Sequence, residues 1–296
     1  MGLNSILKHF RSHPLTREDL WSACQRFIKW QLHSRYFPYP IIYPFIGNTR
    51  LIVQKGLKAS TGNLYCGLQD FEEMSFLLHF LNNKDLFVDV GANIGTYVLL
   101  ASGHRRAQSI AIEPIPVTHE HLKKNISINE LNALIITHNI GLGAEEKKLK
   151  FTSLWDTYNN VISDDDLKKE KYFIEVEVRT LDSIVGELQP SLLKIDVEGF
   201  EFEVIKGGHK TLSKPSLKAI IIELNGSGNR YGFSDDEINA LLLSHGFEKY
   251  NYNPFERLLT PTKDATETNA IYIRDLDFVK QKLTTSPKVT VLKKTY

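Results

Sequence analysis

The sequence is poor in several features that would assign it to a specialised class of protein. Two cysteines, Cys24 and Cys66, stand far apart among 296 residues, which excludes a disulfide framework and fits a reducing compartment. No apolar run approaches the length of a membrane span and no signal-peptide pattern opens the chain, so we expect no transmembrane segment and a cytoplasmic protein. The formal net charge of +1 gives no overall field that would favour nucleic acid. The histidines lack the spacing of a zinc site.

What the sequence does contain is a strand followed by a glycine-rich turn. Residues 86–90 form a short apolar, β-branched run that is typical of a buried parallel strand. Asp89, Gly91, Asn93 and Gly95 follow one another at every second position, and a helical pattern begins after them. Glycine lets the backbone approach a ligand closely, and the N–H groups that open a helix have no partner within it. The stretch therefore predicts a site for a nucleotide-like ligand. The third glycine of a dinucleotide fingerprint is missing, and so is a Walker phosphate loop.

Segments with strand and helix patterns alternate over most of the chain, which predicts an α/β domain of three layers. In such a sheet the ligand binds at the carboxyl ends of the strands. Two pairs of runs predict antiparallel pairing, 148–152 with 173–178 and 247–252 with 270–274. The predicted parallel strands are residues 86–90, 108–112, 133–137, 191–195 and 218–224.

The composition divides the chain into three parts. Residues 1–47 are predicted to be a helical extension, with Thr16 capping its second helix, and a connector rich in proline and aromatic side chains. Residues 48–275 form the α/β domain, within which residues 62–67 are predicted to be a turn and short strand. Residues 276–296 are rich in lysine and threonine and are predicted to be a poorly ordered tail.

A polar stretch at residues 154–171 separates the two strands of the first antiparallel pair. A connection of this length inside a compact domain is usually functional or disordered. Trp155 and Tyr158 offer flat aromatic faces, which suit the apolar faces of a sugar ring. We therefore predict a lid that contacts the substrate, with a disordered surface excursion as the alternative.

Charged side chains stand where the predicted parallel strands end. Lys194, Asp196 and Glu198 alternate at the end of the fourth strand, which places them on one face. Burying three charged groups without a role would be costly, so a functional site is the better interpretation. Glu223 and Asn225 end the fifth strand and are expected to face the same crevice.

A further acid, Glu113, ends the second strand about twenty residues beyond the glycine turn, where an acid accepts hydrogen bonds from ribose hydroxyls. Its alternative role is that of a surface acid at a strand end. Asp182 is expected to be the N-cap of a helix that begins near residue 181.

Two motifs resemble those of a known family. Residues 88–95, VDVGANIG, resemble motif I of class I S-adenosylmethionine-dependent methyltransferases and, more specifically, the first signature of the FkbM family. Residues 193–201, LKIDVEGFE, resemble the second signature of that family. The resemblance implies a Rossmann-like, three-layer sheet that is mostly parallel with an antiparallel C-terminal strand. It also implies S-adenosylmethionine as the cofactor.

The resemblance further implies roles for individual residues. Catalysis would fall to Lys194, Asp196, Glu198 and Glu223. Asp196, Glu223 and Asn225 resemble the oxygen ligands of magnesium-dependent catechol-type methyltransferases, which leaves a role for Mg²⁺ open. The cofactor would be bound by Asp89, Gly91, Ala92, Asn93, Gly95, Thr96, Tyr97, Glu113, Pro114, Asn139 and Asp196, although Asn139 could equally be a simple turn residue.

The function expected from this resemblance is methyl transfer to a hydroxyl oxygen, with a sugar or glycan as acceptor. The alternatives are a methyltransferase that acts on RNA or on a polyketide, and a noncatalytic module that binds the cofactor for assembly. The neutral charge balance argues against RNA, and the acids after the fourth and fifth strands argue against a noncatalytic module. The oligomeric state is left open, including a homo-oligomer.

Overall fold

A mixed sheet organises the protein in the computed structural model, which describes residues 3–152, 161–162, 173–263 and 268–296. Numbered along the chain, the strands are β1 Ile41–Pro44, β2 Arg50–Val53, β3 Leu86–Val90, β4 Gln108–Ile112, β5 Ile135–His138, β6 Gly141–Leu142, β7 Lys147–Thr152, β8 Phe173–Arg179, β9 Leu192–Ile195, β10 Ala219–Glu223, β11 Glu248–Asn253, β12 Leu258–Pro261, β13 Asn269–Ile273, β14 Thr290–Val291 and β15 Lys294–Thr295. The helices are α1 Leu3–Ser12, α2 Leu20–Tyr36, α3 Lys58–Cys66, α4 Phe71–Phe80, α5 Thr96–Val98, α6 Pro116–Ile128, α7 Leu181–Val185, α8 Glu201–Lys206, α9 His209–Ser213, α10 Asp235–Ser244 and α11 Leu276–Thr285.

The central sheet has the strand order β5-β4-β3-β9-β10-β13-β11-β12 among the described residues. The first five strands in this order are parallel, whereas β13 runs antiparallel to β10. Both features confirm the expected mostly parallel sheet with an antiparallel strand near its C-terminal end. Because β4 and β5 extend the sheet to one side of β3 while β9 and β10 extend it to the other, the order reverses between β3 and β9. A crevice at such a point is where ligands of α/β sheets bind.

Helices cover both faces of the sheet because alternate side chains of each strand point to opposite sides. On β3, Phe87 packs with α4, α6 and α11, whereas Val88 packs with α7 to α10 on the other side. On β10, Ile221 and Ile222 divide in the same way. Both clusters are almost free of solvent, so the fold has the three layers predicted from the sequence.

A small second sheet lies beside the main one. Strands β7 and β8 pair antiparallel, which confirms the predicted hairpin, and β6 adds a parallel edge to β8. Of the stretch predicted as a lid, only residues 161–162 are described. Val161 forms a bridge with Phe151, and its carbonyl accepts a hydrogen bond from the Tyr231 hydroxyl at 2.6 Å. Trp155 and Tyr158 lie outside the described residues, so the lid remains a prediction.

Four local predictions were wrong. Residues 62–67 were predicted as turn and strand, but residues 62–66 belong to α3, whose Leu64 and Cys66 are buried, and Gly67 is its C-cap. The second helix begins after Asp19, whose carboxylate accepts the Ser22 N–H at 3.1 Å, and not after Thr16. The tail is ordered: α11 packs against α4, and Tyr296 at the chain end is buried.

The fourth correction concerns Asp182. The N-cap of α7 is Thr180, whose hydroxyl accepts the Ser183 N–H at 3.1 Å. The Asp182 carboxylate instead accepts the N–H groups of Lys210 and Thr211 at 2.9 and 2.7 Å. It therefore caps the neighbouring helix α9 and joins it to α7.

Within the described ranges, none of the helices is both long and apolar enough to cross a bilayer.

Candidate functional site

A cavity of about 360 Å³ opens at the carboxyl ends of β3, β4, β9 and β10, where the strand order reverses. Its volume falls within the range of roughly 300–1,000 Å³ that is typical of small-molecule sites. The glycine turn after β3, the turn after β4 and the acidic turn after β9 form its walls. Six carboxyl groups but only two lysines line it among the described residues: Asp70, Asp89, Glu113, Asp196, Glu198 and Glu223, with Lys58 and Lys194.

The glycine turn is held against the sheet by its own backbone. The N–H groups of Gly91 and Ala92 both donate to the Ile112 carbonyl at 2.9 Å. Gly91 has φ +79°, and a Cβ at this position would lie 1.8 Å from the Asp196 carbonyl oxygen. Only glycine fits this close approach. Gly91 is therefore required first by the protein's own acidic turn, and a close approach by a ligand is a second consequence.

Glu113 ties the glycine turn to the end of β4. Its Oε2 accepts the Asn93 N–H at 2.9 Å and its Oε1 accepts the Ile115 N–H at 3.0 Å. Burial raises the pKa of this carboxyl to about 7, against the opposing effect of the two N–H donors. Each carboxylate oxygen has a second acceptor position, so Glu113 retains the capacity to bind ribose hydroxyls.

Asp89 is the most deeply buried carboxyl group of the cavity, with 1% exposure. Among the described residues neither of its oxygens has a hydrogen-bond partner. Burial raises its pKa to about 7, and Asp196 adds to this effect while Lys194 opposes it. A buried carboxyl without a partner is expensive, so the position fits a ligand that brings positive charge or donors.

Lys194 stands beside Asp89 because the two residues are paired in the register of β3 and β9. Its Nζ donates to Asp196 Oδ2 at 2.8 Å and lies 4.7 Å from the centre of the Tyr97 ring. Burial opposes its charge, but Asp196 and Asp89 outweigh this effect and raise the pKa of Lys194. The ammonium therefore stays charged and fixes the direction of the Asp196 carboxylate.

Three carboxylates of the cavity lie close together. Oxygens of Asp196, Glu198 and Glu223 all lie within 4.8 Å of one another. Burial, with the nearby charge of Asp196, raises the pKa of Glu198 to about 7 and that of Glu223 to about 8. Glu223 Oε2 is buried and has no hydrogen-bond partner in the described part of the chain. The cluster is therefore able to take up a proton near neutral pH or to hold a cation.

The backbone after β9 brings these acids together. Glu198 has φ +55°, a conformation that is rare outside glycine and that is often found at functional sites. Glu201 stabilises the turn, since its Oε1 accepts the N–H groups of Val197 and Gly199 at 3.0 and 3.2 Å. A Cβ at Gly199 would lie 2.8 Å from the Ser227 carbonyl oxygen, so glycine is needed there as well.

The structure brings most of the predicted site residues to one cavity. The lining includes all four predicted catalytic residues, Lys194, Asp196, Glu198 and Glu223. It also includes the predicted cofactor residues Asp89, Gly91, Ala92, Asn93, Thr96, Tyr97, Glu113 and Pro114.

Three predicted residues lie outside the cavity lining. A Cβ at Gly95 would meet Leu122 of α6 at 2.5 Å, so this glycine serves helix packing. The Asn139 amide donates to the carbonyls of Glu113 and Pro114 at 2.9 and 3.0 Å, which supports the turn role that was its alternative. Asn225 is exposed and its side-chain oxygen accepts the Ser227 N–H at 2.9 Å, whereas Glu198 lies together with Asp196 and Glu223.

Asp70 and Asn269 are among the polar residues of the cavity that sequence reasoning missed. Asp70, at the N-cap position of α4, makes no capping hydrogen bond and instead accepts the Tyr97 hydroxyl at 3.1 Å. Asn269 begins β13 directly opposite Glu223, and its Oδ1 is buried without a partner among the described residues. The strand predicted at residues 270–274 was expected to pair with residues 247–252, so the sequence carried no signal for the pairing with β10 that brings Asn269 opposite Glu223. No sequence signal pointed to the contact of Asp70.

In the comparisons with known proteins, the matching family and the similar proteins are methyltransferases. Residues 89–249 match the family described as methyltransferase FkbM domain. Methyltransferase 1 of Beauveria bassiana is 30% identical over 147 residues, which cover 42% of this chain and 59% of that protein. The hexuronic acid methyltransferase AglP of Haloferax volcanii is 29% identical over 154 residues, which cover 50% of this chain and 59% of that protein. The chain thus spans about three fifths of the length of these two relatives.

One solved structure that is similar to this chain is that of methyltransferase FkbM from Methylobacillus flagellatus, with 18% sequence identity and a TM-score of 0.45. The match covers 73% of this chain and 53% of that one.

The close approach of Gly91 to Asp196 predicts the effect of adding one methyl group. Gly91→Ala should lower the free energy of unfolding by about 1–3 kcal/mol more than Gly232→Ala, because overpacking adds to the strain of a positive φ. Gly232 is the matched control: its φ is +83°, and a Cβ there meets no described atom within 4 Å. Urea denaturation measures both variants. Equal destabilisation would show that the contact with Asp196 has no cost.

The raised pKa of Glu223 predicts how stability depends on pH. The folded protein keeps a proton on this carboxyl up to about pH 8, whereas the unfolded chain releases it near pH 4.5. Between these values the folded state binds more protons, so its stability should fall as pH rises. Glu223→Gln should make this fall shallower, and Glu256→Gln, at an exposed position, should leave it unchanged. Identical slopes for wild type and Glu223→Gln in denaturation series from pH 5 to pH 8 would contradict the assignment.

Proposed function

This chain belongs to the FkbM methyltransferase family, a family of S-adenosylmethionine-dependent enzymes, and we propose that it methylates a hydroxyl oxygen of a sugar or glycan. The observation that carries this proposal is the position of the acidic trio, Asp196, Glu198 and Glu223, in the same cavity as the glycine turn. Methyl transfer to a hydroxyl needs a bound donor and a group that removes the proton of the acceptor. The cavity offers side chains for both tasks.

The donor side of the cavity fits S-adenosylmethionine. Bound there, this cofactor supplies a methyl group made electrophilic by a positively charged sulfur. Glu113 would accept hydrogen bonds from the ribose hydroxyls, and the turn from Gly91 to Asn93 would lie against the nucleoside. The partnerless carboxyl of Asp89 suits the positively charged part of the same molecule. The surplus of carboxyl groups over lysines around the cavity also favours a cationic ligand.

Glu223 is the best candidate for the proton acceptor. A general base is most effective when its pKa lies near the working pH. The pKa of Glu223 is raised to about 8 without ligand, and a cationic cofactor bound in the same cavity would lower it, which favours the deprotonated form that accepts a proton. Asp196 has a different role, because its hydrogen bond from Lys194 fixes its orientation. We propose that Asp196 orients the acceptor hydroxyl and that Glu223 receives its proton. Glu198 stands beside both and adds negative charge that raises the proton affinity of Glu223.

A relative and the charge of the cavity both bear on the acceptor. The relative AglP is named for methylation of hexuronic acid, which supports a sugar. The acidic lining favours a neutral hydroxyl at the reacting position over a phosphate or a carboxylate, since like charges repel. For the same reason RNA is the weaker alternative. A noncatalytic module would have no need to bury three acids at this position, so the energetic cost of that burial supports catalysis.

A divalent cation remains a second way to activate the hydroxyl. Asp196 and Glu223 of the predicted metal ligands lie beside Glu198, and three carboxylates are suitable ligands for Mg²⁺. A direct carboxylate mechanism predicts activity that survives a chelator. A metal mechanism predicts loss that added Mg²⁺ restores.

The acidic trio predicts a separation of activity from stability. Asp196→Asn and Glu223→Gln should each lower kcat by about 10²–10⁴-fold, because the first removes the carboxylate that orients the acceptor and the second removes the general base, while side-chain volume is kept. Glu187→Gln, at an exposed position, is the control and should keep wild-type turnover. The assay follows labelled methyl transfer from S-adenosylmethionine to a panel of nucleotide sugars and neutral glycans, with and without chelator. Full activity in both acid variants would place the chemistry elsewhere, and a panel without any methylated product would refute the sugar acceptor.

A further inference from the structure

The helix α2 and the segment after it expose an unusual amount of apolar surface. Of the sixteen large hydrophobic side chains that are exposed in the described residues, seven fall between positions 21 and 42. Trp21 and Tyr39 are each 74% exposed. We call this surface the α2 face, and its members are Trp21, Ile28, Leu32, Tyr36, Phe37, Tyr39 and Ile42. Contiguous apolar surface of this kind usually marks an interaction site.

The α2 face is a true stripe and not a random scatter. At about 100° per residue, Trp21, Ile28, Leu32 and Tyr36 fall within about 80° of one another around the helix. Ala23 and Trp30, which are buried, lie on the opposite side. The helix therefore has two apolar sides, one packed on the protein and one turned to solvent.

The helix is firmly attached through its packed side. Arg26 donates through Nε and Nη2 to the Tyr65 carbonyl at 2.9 and 2.6 Å, and Phe27 packs edge-on against the Tyr65 ring. Asp19 caps the first turn and accepts a hydrogen bond from Lys293 at 2.8 Å. These contacts fix the orientation of α2, so the apolar stripe is presented to solvent as a pre-formed surface.

The charge of α2 and of the sequence on either side of it indicates the kind of partner. Residues 1–58 contain nine lysines and arginines but two acids, a net charge of +7, although the whole chain carries +1. Lys29 and Arg35 on α2 are exposed and flank the stripe. A second copy docked on the same face would bring these cations together, which is unfavourable. A partner with an apolar interior and an anionic surface complements both properties.

We propose that the α2 face binds an anionic lipid surface, with α2 lying in the plane of the interface. An apolar stripe with basic side chains beside it is the pattern of interfacial helices. Tryptophan and tyrosine, with an apolar ring and a polar edge, favour the level of the lipid headgroups. Each basic side chain near an anionic leaflet adds to the attraction. A 17-residue helix is about 26 Å long, which suits this shallow position.

The position of the proposed lipid-binding surface is relevant to the identity of the methyl acceptor. Helix α2 packs on α3, whose Lys58, Ala59 and Asn63 line the cavity. A lipid surface bound at α2 would thus lie one helix away from the cavity, where a glycolipid headgroup could serve as acceptor. That consequence rests on the proposed function, whereas lipid binding does not.

Vesicle sedimentation with the full chain tests the proposal. The protein should pellet with vesicles of phosphatidylcholine and phosphatidylglycerol, less with phosphatidylcholine alone, and less at high salt. The triple variant Trp21→Ser, Ile28→Ser, Leu32→Ser and the double variant Lys29→Glu, Arg35→Glu should each lower the partition coefficient by about tenfold or more. All five changes are at exposed positions, and circular dichroism verifies that the variants remain folded.

Two matched controls isolate the face. Leu188→Ser with Leu243→Ser removes exposed apolar side chains elsewhere, and Lys124→Glu with Lys280→Glu reverses exposed charges elsewhere. Both should retain wild-type binding. Failure of the wild type to pellet with anionic vesicles would overturn the proposal, as would equal binding by the triple variant. Sedimentation velocity tests self-association. If the wild type forms a dimer, the triple variant is a monomer and neither binds vesicles, the α2 face is a self-association surface instead.

Discussion

The arrangement of the site depends on one contact, the approach of Gly91 to the carbonyl oxygen of Asp196. A Cβ on residue 91 would lie 1.8 Å from that oxygen, so the two turns that leave β3 and β9 meet without room for a side chain. The contact sets the glycine turn directly against the acidic turn. Because the strand order reverses between these two strands, the crevice opens at the same point. The predicted donor side and the predicted acceptor side of the cavity are thus joined by backbone.

The charged side chains of the cavity lie around this contact between the two turns. The sheet buries Asp89 and Lys194 side by side, and the turn after β9 brings Asp196 and Glu198 close to Glu223 at the end of β10. Burial raises the pKa values of Asp89, Glu198 and Glu223, which means that the protein without ligand carries carboxyl groups it stabilises poorly. A cationic ligand would lower that cost. The acids are therefore explained better by what binds beside them than by the stability of the fold.

The sequence predicted the sheet well because its strands are short apolar runs that end in turn residues. It also placed Glu113 and the acids of residues 194–198 at strand ends, since alternation along a strand determines which side chains share a face. It failed where distant contacts decide the structure. Helix α3 contains Gly62 and Asn63, which disfavour a helix, yet it forms because one side of it is buried. The tail becomes ordered because Tyr296 packs against Phe71 and Phe255.

At the site, too, the sequence did not reveal which side chains a turn directs into the cavity. Asp196 lies just after β9 and Asn225 just after β10. The sequence analysis therefore predicted, from their positions after the strands alone, that the two side chains face the same crevice. The turn that begins at Asn225 directs its side chain to the Ser227 N–H, whereas the positive φ of Glu198 belongs to a turn that keeps its carboxylate in the cavity. Such backbone turns are set by contacts of Gly199 and Glu201 that no periodicity reveals.

Titration calorimetry with S-adenosylhomocysteine tests whether this cavity binds S-adenosylmethionine with Glu113 on the ribose. We expect one site per chain in the wild type and an affinity loss in Glu113→Ala of about 1–3 kcal/mol, the value of a hydrogen bond to a charged group. Glu120→Ala, at an exposed position on α6, should bind as the wild type does. No binding by the folded wild type, or an affinity that Glu113→Ala leaves unchanged, would refute cofactor binding through Glu113.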